Sequence, residues 1–129
     1  MAPAYAPGSR IVVWGWAYVL QAPRRGDVVV LHAPENPGHL ELKRIVGLPG
    51  EDVSWAAASV RIDGRPLPEP YARIPSDVPG DDVTLDRLLG PEEYFVLGDN
   101  RLYSRDSRHY GPVTRPVVLG RALFPRSHA

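Results

Sequence analysis

The sequence predicts an all-β or mostly β protein, and three observations carry that expectation. Fifteen prolines and twelve glycines are spread through 129 residues, leaving few windows in which a helix could run without a breaker. The apolar stretches between them are short and rich in β-branched and aromatic side chains, the composition that suits a pleated surface. Only one segment, Asp81 to Leu89, reads as a plausible helix, and a short one. A chain of this length is expected to form one domain with a real core, here with a small β excursion at about residues 54–91.

Taken in order, Met1 to Gly8 reads as loop, with prolines at 3 and 7. Arg10 to Leu20 reads as a strand with a kink at Gly15. Its apolar residues fall on both faces, so it is either a core strand or an exposed apolar surface. Trp14 and Trp16 carry the same two readings, bilayer interface or core, with core the default. A turn over Ala22 to Asp27 precedes the strand Val28 to His32. A loop over Ala33 to Gly38 leads to the strand Leu40 to Val46, which Gly47-Leu48-Pro49-Gly50 ends. Between Val53 and Arg73, two short strands flank Asp63-Gly64, a hairpin-turn signal. Pro66, Pro68 and Pro70 then impose an extended course. Asp81 to Leu89 is the expected short helix, stopped by Gly90-Pro91. Tyr94 to Leu97 is a strand delivering the polar stretch Gly98 to Gly111, and Val117 to Phe124 is the last strand.

Composition also narrows the function classes. Formal net charge is zero, so nothing calls for a polyanionic partner, and nucleic acid is not expected. Cysteine is absent, which excludes disulfides, thiolate metal sites and a thiol nucleophile. His32, His39, His109 and His128 are scattered without ligand spacing, so neither a metal nor a cofactor is expected. Arg101, Arg105 and Arg108 interleave with Asp99 and Asp106, a pattern of ion pairs rather than of phosphate contacts. No apolar run approaches the roughly 18 residues of a spanning helix and Met1 opens no signal peptide, so the chain as given reads as soluble.

Two stretches carry chemistry. The first surrounds Lys43 in Glu41 to Glu51. Of the fifteen basic side chains, Lys43 is the single lysine and the other fourteen are arginines. Arginine never loses its proton in a protein, whereas a desolvated lysine can act as a neutral general base. Chance retention of one lysine beside a turn is the competing reading. The second stretch is Tyr94 to Val113, where Ser104, Asp106, Ser107 and Arg108 crowd together after a hydrophobic strand. A solvated charged loop is the ordinary reading of such a cluster.

Together these stretches resemble the bacterial type I signal peptidases, serine proteases with a Ser–Lys dyad. KRIVGLPGE is similar to that family's lysine box, and GDNRxxSxDSRxxGxV to a second box. Pro7 to Val13, Ala17-Tyr18 and Arg24 to Val30 follow its earlier run, and GRALF its last strand. The resemblance implies a mostly antiparallel β fold. It implies Lys43 as general base, Ser104 as the hydroxyl that orients the amine, an Asp99–Arg108 ion pair behind the site, and Asp106 as a further support. A peptide substrate would add as a strand beside Leu40, Glu41 and Leu42. The implied activity is removal of signal peptides from secreted preproteins, cutting after a small-x-small pattern. The implied location is the extracytoplasmic face of the cytoplasmic membrane, with a membrane anchor in the full-length form.

One departure qualifies this. The family's nucleophile is a serine directly before Met-x-Pro-Thr, and Met1-Ala2-Pro3-Ala4 aligns with that segment. The nucleophile would therefore precede Met1, and the chain as given is expected to be inactive. Either the start lies at an internal methionine of a longer protein, which the retained Lys43 and Ser104 favour, or the chain is a nucleophile-less relative. Ser9 falls where the family has an aspartate, and Ser107 belongs to the loop-fixing set. A non-catalytic β module that binds extended peptides is the alternative function. A self-cleaving repressor would need a DNA-binding domain and a cleavage loop, and neither is visible.

Overall fold

The computed structural model describes residues 12–15, 18, 21–72, 84–101 and 104–123. Their strands are β1 (Val12–Trp14), β2 (Val28–Ala33), β3 (Asn36–Gly47), β4 (Asp52–Ala56), β5 (Ser59–Ile62), β6 (Arg65–Pro66), β7 (Leu85–Leu88), β8 (Glu93–Leu97), β9 (Val113–Thr114) and β10 (Val118–Leu123). The described helix α1 (Ser107–Tyr110) is a single turn, and a 3-10 turn occupies Arg115–Val117. All pairings are antiparallel, in a six-stranded sheet ordered β1-β10-β2-β3-β8-β9 and a four-stranded sheet ordered β6-β5-β4-β7. No described helix is long and apolar enough to cross a membrane.

Strand β3 is the axis of the large sheet. Its residues alternate between faces, as a period of two requires. Lys43 and Ile45 share a face with Val29, Leu31, Tyr94, Val96 and Val113. Val46 turns the other way and joins Phe95, Leu97, Val53, Trp55, Val60, Ile62 and Leu89 in a second core, where the small sheet closes against the large one. Gly47 sits at that closure. A Cβ there would lie 2.6 Å from Val53 Cγ2 and 2.9 Å from Phe95 Cβ, so the sheets meet closely only because this residue has no side chain.

The segment expected to be a helix is in part a strand. Residues 81–83 lie outside the described residues, but Leu85 to Leu88 form β7, in register with β4. A segment this short is marginal as an isolated helix, and β4 offers an unpaired edge that Leu85 to Leu88 satisfy. Leu88 is 69% exposed on the strand and Leu89 is buried just past it, where the chain leaves the sheet. The helix lies instead at Ser107–Tyr110, capped by Asp106.

Other boundaries move for similar reasons. The expected loop over Ala33 to Gly38 is a tight hairpin at Pro34-Glu35, and Asn36 to Gly38 already belong to β3. Pro37 follows the register shift at His32/Ala33, an irregularity that tolerates a missing N–H. The Asp63-Gly64 hairpin forms as expected, with φ of 53° and 83°. Arg10–Leu20 is described in part: Val12–Trp14 are strand and Gly15 lies in a turn. Ser9, Trp16, His128 and the side chain of Trp14 lie outside the described residues.

Candidate active site

Lys43 lies near the middle of β3, opposite Val29, with 8% of its surface exposed. Its Nζ donates to Ser104 Oγ at 3.1 Å. The two residues are 61 positions apart in sequence, so the contact belongs to the fold and not to a local turn. Gly98 forms the floor beneath it. A Cβ there would fall 2.1 Å from Ser104 Oγ and 3.7 Å from Lys43 Nζ, so a side chain at 98 and the serine cannot both occupy their places.

The loop carrying Ser104 is tied down by buried charge. Asp106, fully buried, accepts from the Gly98 N–H at 3.1 Å and from Arg108 Nε and Nη2, both at 2.9 Å. The Arg108 guanidinium also donates to the carbonyls of Arg101 at 2.8 Å and Ser104 at 3.3 Å, and stacks 4.7 Å from the Trp55 ring. Asp106 further caps α1: its side chain accepts from Arg108 N, while its own N–H donates to His109 Nδ1. Ser107 Oγ accepts from the Val96 N–H at 2.9 Å, a fixing role and not a free hydroxyl.

The expected Asp99–Arg108 pair is corrected. Asp99 is fully buried, and its carboxylate takes both bonds of a fork from Arg44, Nε at 2.8 Å and Nη2 at 2.6 Å. Arg108 takes Asp106 instead. The reason is register: Arg44 pairs with Leu97 across β3 and β8, so its side chain meets the residues just past the end of β8. Burial works against the Arg44 charge, but the Asp99 carboxylate outweighs it and raises the guanidinium pKa further above its ordinary value. Arg44 was not among the sequence candidates, although it adjoins Lys43. Gly98 was likewise overlooked, since nothing in a GDN turn announces that its first residue is a floor. The other loop arginines also form ion pairs, but with carboxylates outside the loop and not with the interleaved Asp99 and Asp106: Arg101 with Glu69 and Arg105 with Glu35.

The segment expected to receive a peptide is an open edge. β8 pairs with β3 from Arg44 to Gly47, and among the described residues no strand pairs with that side of β3 from Asn36 to Lys43. Ile45 exchanges its main-chain bonds with Asp27 and Gly26 on the β2 side. By alternation, Leu42 and Leu40 aim their N–H and C=O groups at the open side. Leu40 is 51% exposed, and Leu42 packs partly against Val28, Val30 and Ala122. Glu41 lies on the Lys43 face and buries one carboxylate oxygen that has no hydrogen-bond partner.

Known proteins resemble this chain along most of its length. The family model "Signal peptidase, peptidase S26" matches residues 1–126. The chain is 38% identical to signal peptidase I of Leptolyngbya laminosa, over 95% of its own length and 62% of the relative's. It is 32% identical to signal peptidase I V of Bacillus subtilis, over 93% of its length and 76% of that protein's. The chain thus spans less than two thirds of the first relative and about three quarters of the second. The crystal structure of a signal peptidase I from Enterococcus faecalis superposes with a TM-score of 0.65 at 31% identity, covering 78% of this chain and 97% of that one. On the extent of these matches, the chain belongs to the signal peptidase family, peptidase S26.

Proposed function

We propose that this chain is the catalytic domain of a signal-peptidase-type serine endopeptidase that removes signal peptides from secreted preproteins at the outer face of the cytoplasmic membrane. The observation that carries the reading is the bond from the buried Lys43 amine to Ser104 Oγ at 3.1 Å, beside the open edge of β3. In this reading the peptide adds along Leu40, Glu41 and Leu42, which brings its scissile carbonyl toward Lys43. The attacking serine is expected immediately before Met1, on the family's Met-x-Pro alignment. Lys43, as the neutral amine, takes the serine proton as Oγ bonds to the carbonyl carbon. It returns that proton to the amine that leaves when the peptide C–N bond breaks. A water then attacks the acyl ester, passing its proton through Lys43 and restoring the serine. Ser104 orients the amine, while Asp99, Asp106 and Arg108 hold the loop that carries it.

The test is a version of the chain carrying a serine and upstream residues before Met1, assayed on a signal-peptide substrate. Cleavage is expected after small residues, and Lys43→Arg should reduce it by about 100-fold or more, because a guanidinium keeps its proton. Turnover that survives Lys43→Arg would remove Lys43 as the base. The open edge also suits a module that binds extended peptides without cutting them; peptide binding to the serine-extended chain with no cleavage would favour that second reading.

A further inference from the structure

The motif that the dyad does not use is Glu69-Pro70-Tyr71, on the extended arm that leaves the small sheet after β6. Glu69 reaches the catalytic loop and clasps Arg101 with both carboxylate oxygens, at 3.0 and 2.5 Å. The pair is almost completely buried, with side chains 2% and 9% exposed. Arg101 in turn donates from Nε to the Gly98 carbonyl at 2.7 Å. Gly98 is the floor on which Ser104 Oγ rests. Tyr71 meets the other side of the same assembly: its ring lies 4.1 Å beneath the Arg44 guanidinium, whose fork holds Asp99. The two arm residues are tied together, since the Tyr71 hydroxyl donates to Glu69 Oε2 at 3.1 Å. Burial, and then the Glu69 charge, push that phenol above its ordinary range, so it stays a donor.

We infer that Glu69 and Tyr71 are positioning residues for the Lys43–Ser104 pair, and that the small sheet serves the site by delivering them. Each acts through an arginine adjacent in sequence or structure to a member of the pair: Arg44 follows Lys43, and Arg101 holds the carbonyl of Ser104's floor. Bidentate guanidinium–carboxylate contacts fix direction as well as distance, which is what a hydroxyl orienting an amine requires. Residues that served only to cover the core would need apolar contacts there, not a buried charge fork on Arg101 and a ring set against the Arg44 guanidinium. The inference rests on Lys43 and Ser104 being the reactive pair, but its test reads the lysine directly and needs no turnover.

Because the chain has a single lysine, acetic anhydride labelling followed by mass spectrometry reports on Lys43 alone, with the amino terminus as internal standard. Glu69→Gln should raise the Lys43 acetylation rate about 3- to 10-fold at a temperature well below its unfolding midpoint, as the loop over the amine opens locally. Tyr71→Phe, which keeps the ring under Arg44 and removes only the tie to Glu69, should give a smaller rise, about 2-fold. Val53→Ala weakens the core of the small sheet from β4, at a residue that makes no hydrogen bond to the arm among the described residues, and should leave the rate unchanged. If Glu69→Gln lowers the midpoint but not the protection of Lys43, the arm is structural only and the inference fails. It fails equally if Val53→Ala and Glu69→Gln raise the rate alike. Should Glu69→Gln not fold, Tyr71→Phe decides, and an unchanged rate there overturns the inference. Loss of protection with no cleavage in the serine-extended chain would instead sink the enzymatic reading and leave the positioning arm standing.

Discussion

At the residue scale, the candidate dyad depends on an absence. Gly98 is not at a positive φ; what it supplies is room, because a methyl group there would sit 2.1 Å from Ser104 Oγ. Gly98→Ala must therefore push Ser104 off Lys43 or displace the end of β8. We expect a stability loss of about 1–3 kcal/mol, as for other overpacked sites, measured by urea denaturation. In the serine-extended chain it should lower kcat/KM by about 10- to 100-fold through loss of the oriented base. Unchanged kcat/KM with the stability loss present would mean that Ser104 does not orient the amine. The sequence made Lys43, Ser104 and Asp106 legible, because an isolated lysine and a two-box resemblance single them out. It did not make Arg44 legible as the partner of Asp99, since that pairing depends on the register between β3 and β8 and both residues lie in motifs with several candidate partners.

At the element scale, strands with alternating apolar residues and turns with glycine were readable, whereas elements whose identity depends on a neighbour were not. β7 pairs because β4 has an edge to fill, and no local property of Leu85 to Leu88 states that. The β4–β5 hairpin was missed for another reason. Its two turn residues are Ala57 and Ala58, at φ of 51° and 62°, and alanine gives no turn signal. Left-handed backbone costs an L-residue about 1 kcal/mol, and asparagine or glycine tolerates it better. Ala57→Asn with Ala58→Gly should thus stabilise the protein by about 0.5–1.5 kcal/mol, with β4–β5 amide exchange slowed. A lower melting temperature for the double variant would show that this hairpin is held by something other than its turn geometry.

At the scale of the whole molecule, the two sheets are joined by charge as well as by the shared core, and that joint has an opposite response to acid on its two sides. Glu51 follows the turn that ends β3. It accepts two bonds from Arg25, both at 2.7 Å, and the Leu48 N–H at 2.7 Å. Burial raises its carboxyl pKa, but the Arg25 fork and the Leu48 N–H outweigh that, and the net effect is a value below the ordinary 4.5. Its folded value lies under its unfolded value, so the unfolded chain binds more protons in that window. The contribution of Glu51 is full above about pH 4.5 and is lost as pH falls through the folded value. The next residue behaves the other way. Asp52 on β4 has the Asp86 carboxylate of β7 as its neighbour, and that carboxylate, with desolvation and the charge of Asp63, raises its carboxyl above 3.8. Here the folded state binds the extra proton, and mutual repulsion weakens the sheet at neutral pH until acid relieves it. Melting curves from pH 7 to pH 3 should therefore separate the two. Glu51→Gln should lower the melting temperature at pH 7, and its deficit should shrink toward pH 3 as the wild type loses the same contribution. Asp52→Asn should raise the melting temperature at pH 7, with the gain fading in acid. Parallel curves for wild type and both variants would mean that neither carboxylate is coupled to folding, and that the joint is held by the Val46, Val53, Trp55 and Phe95 core alone.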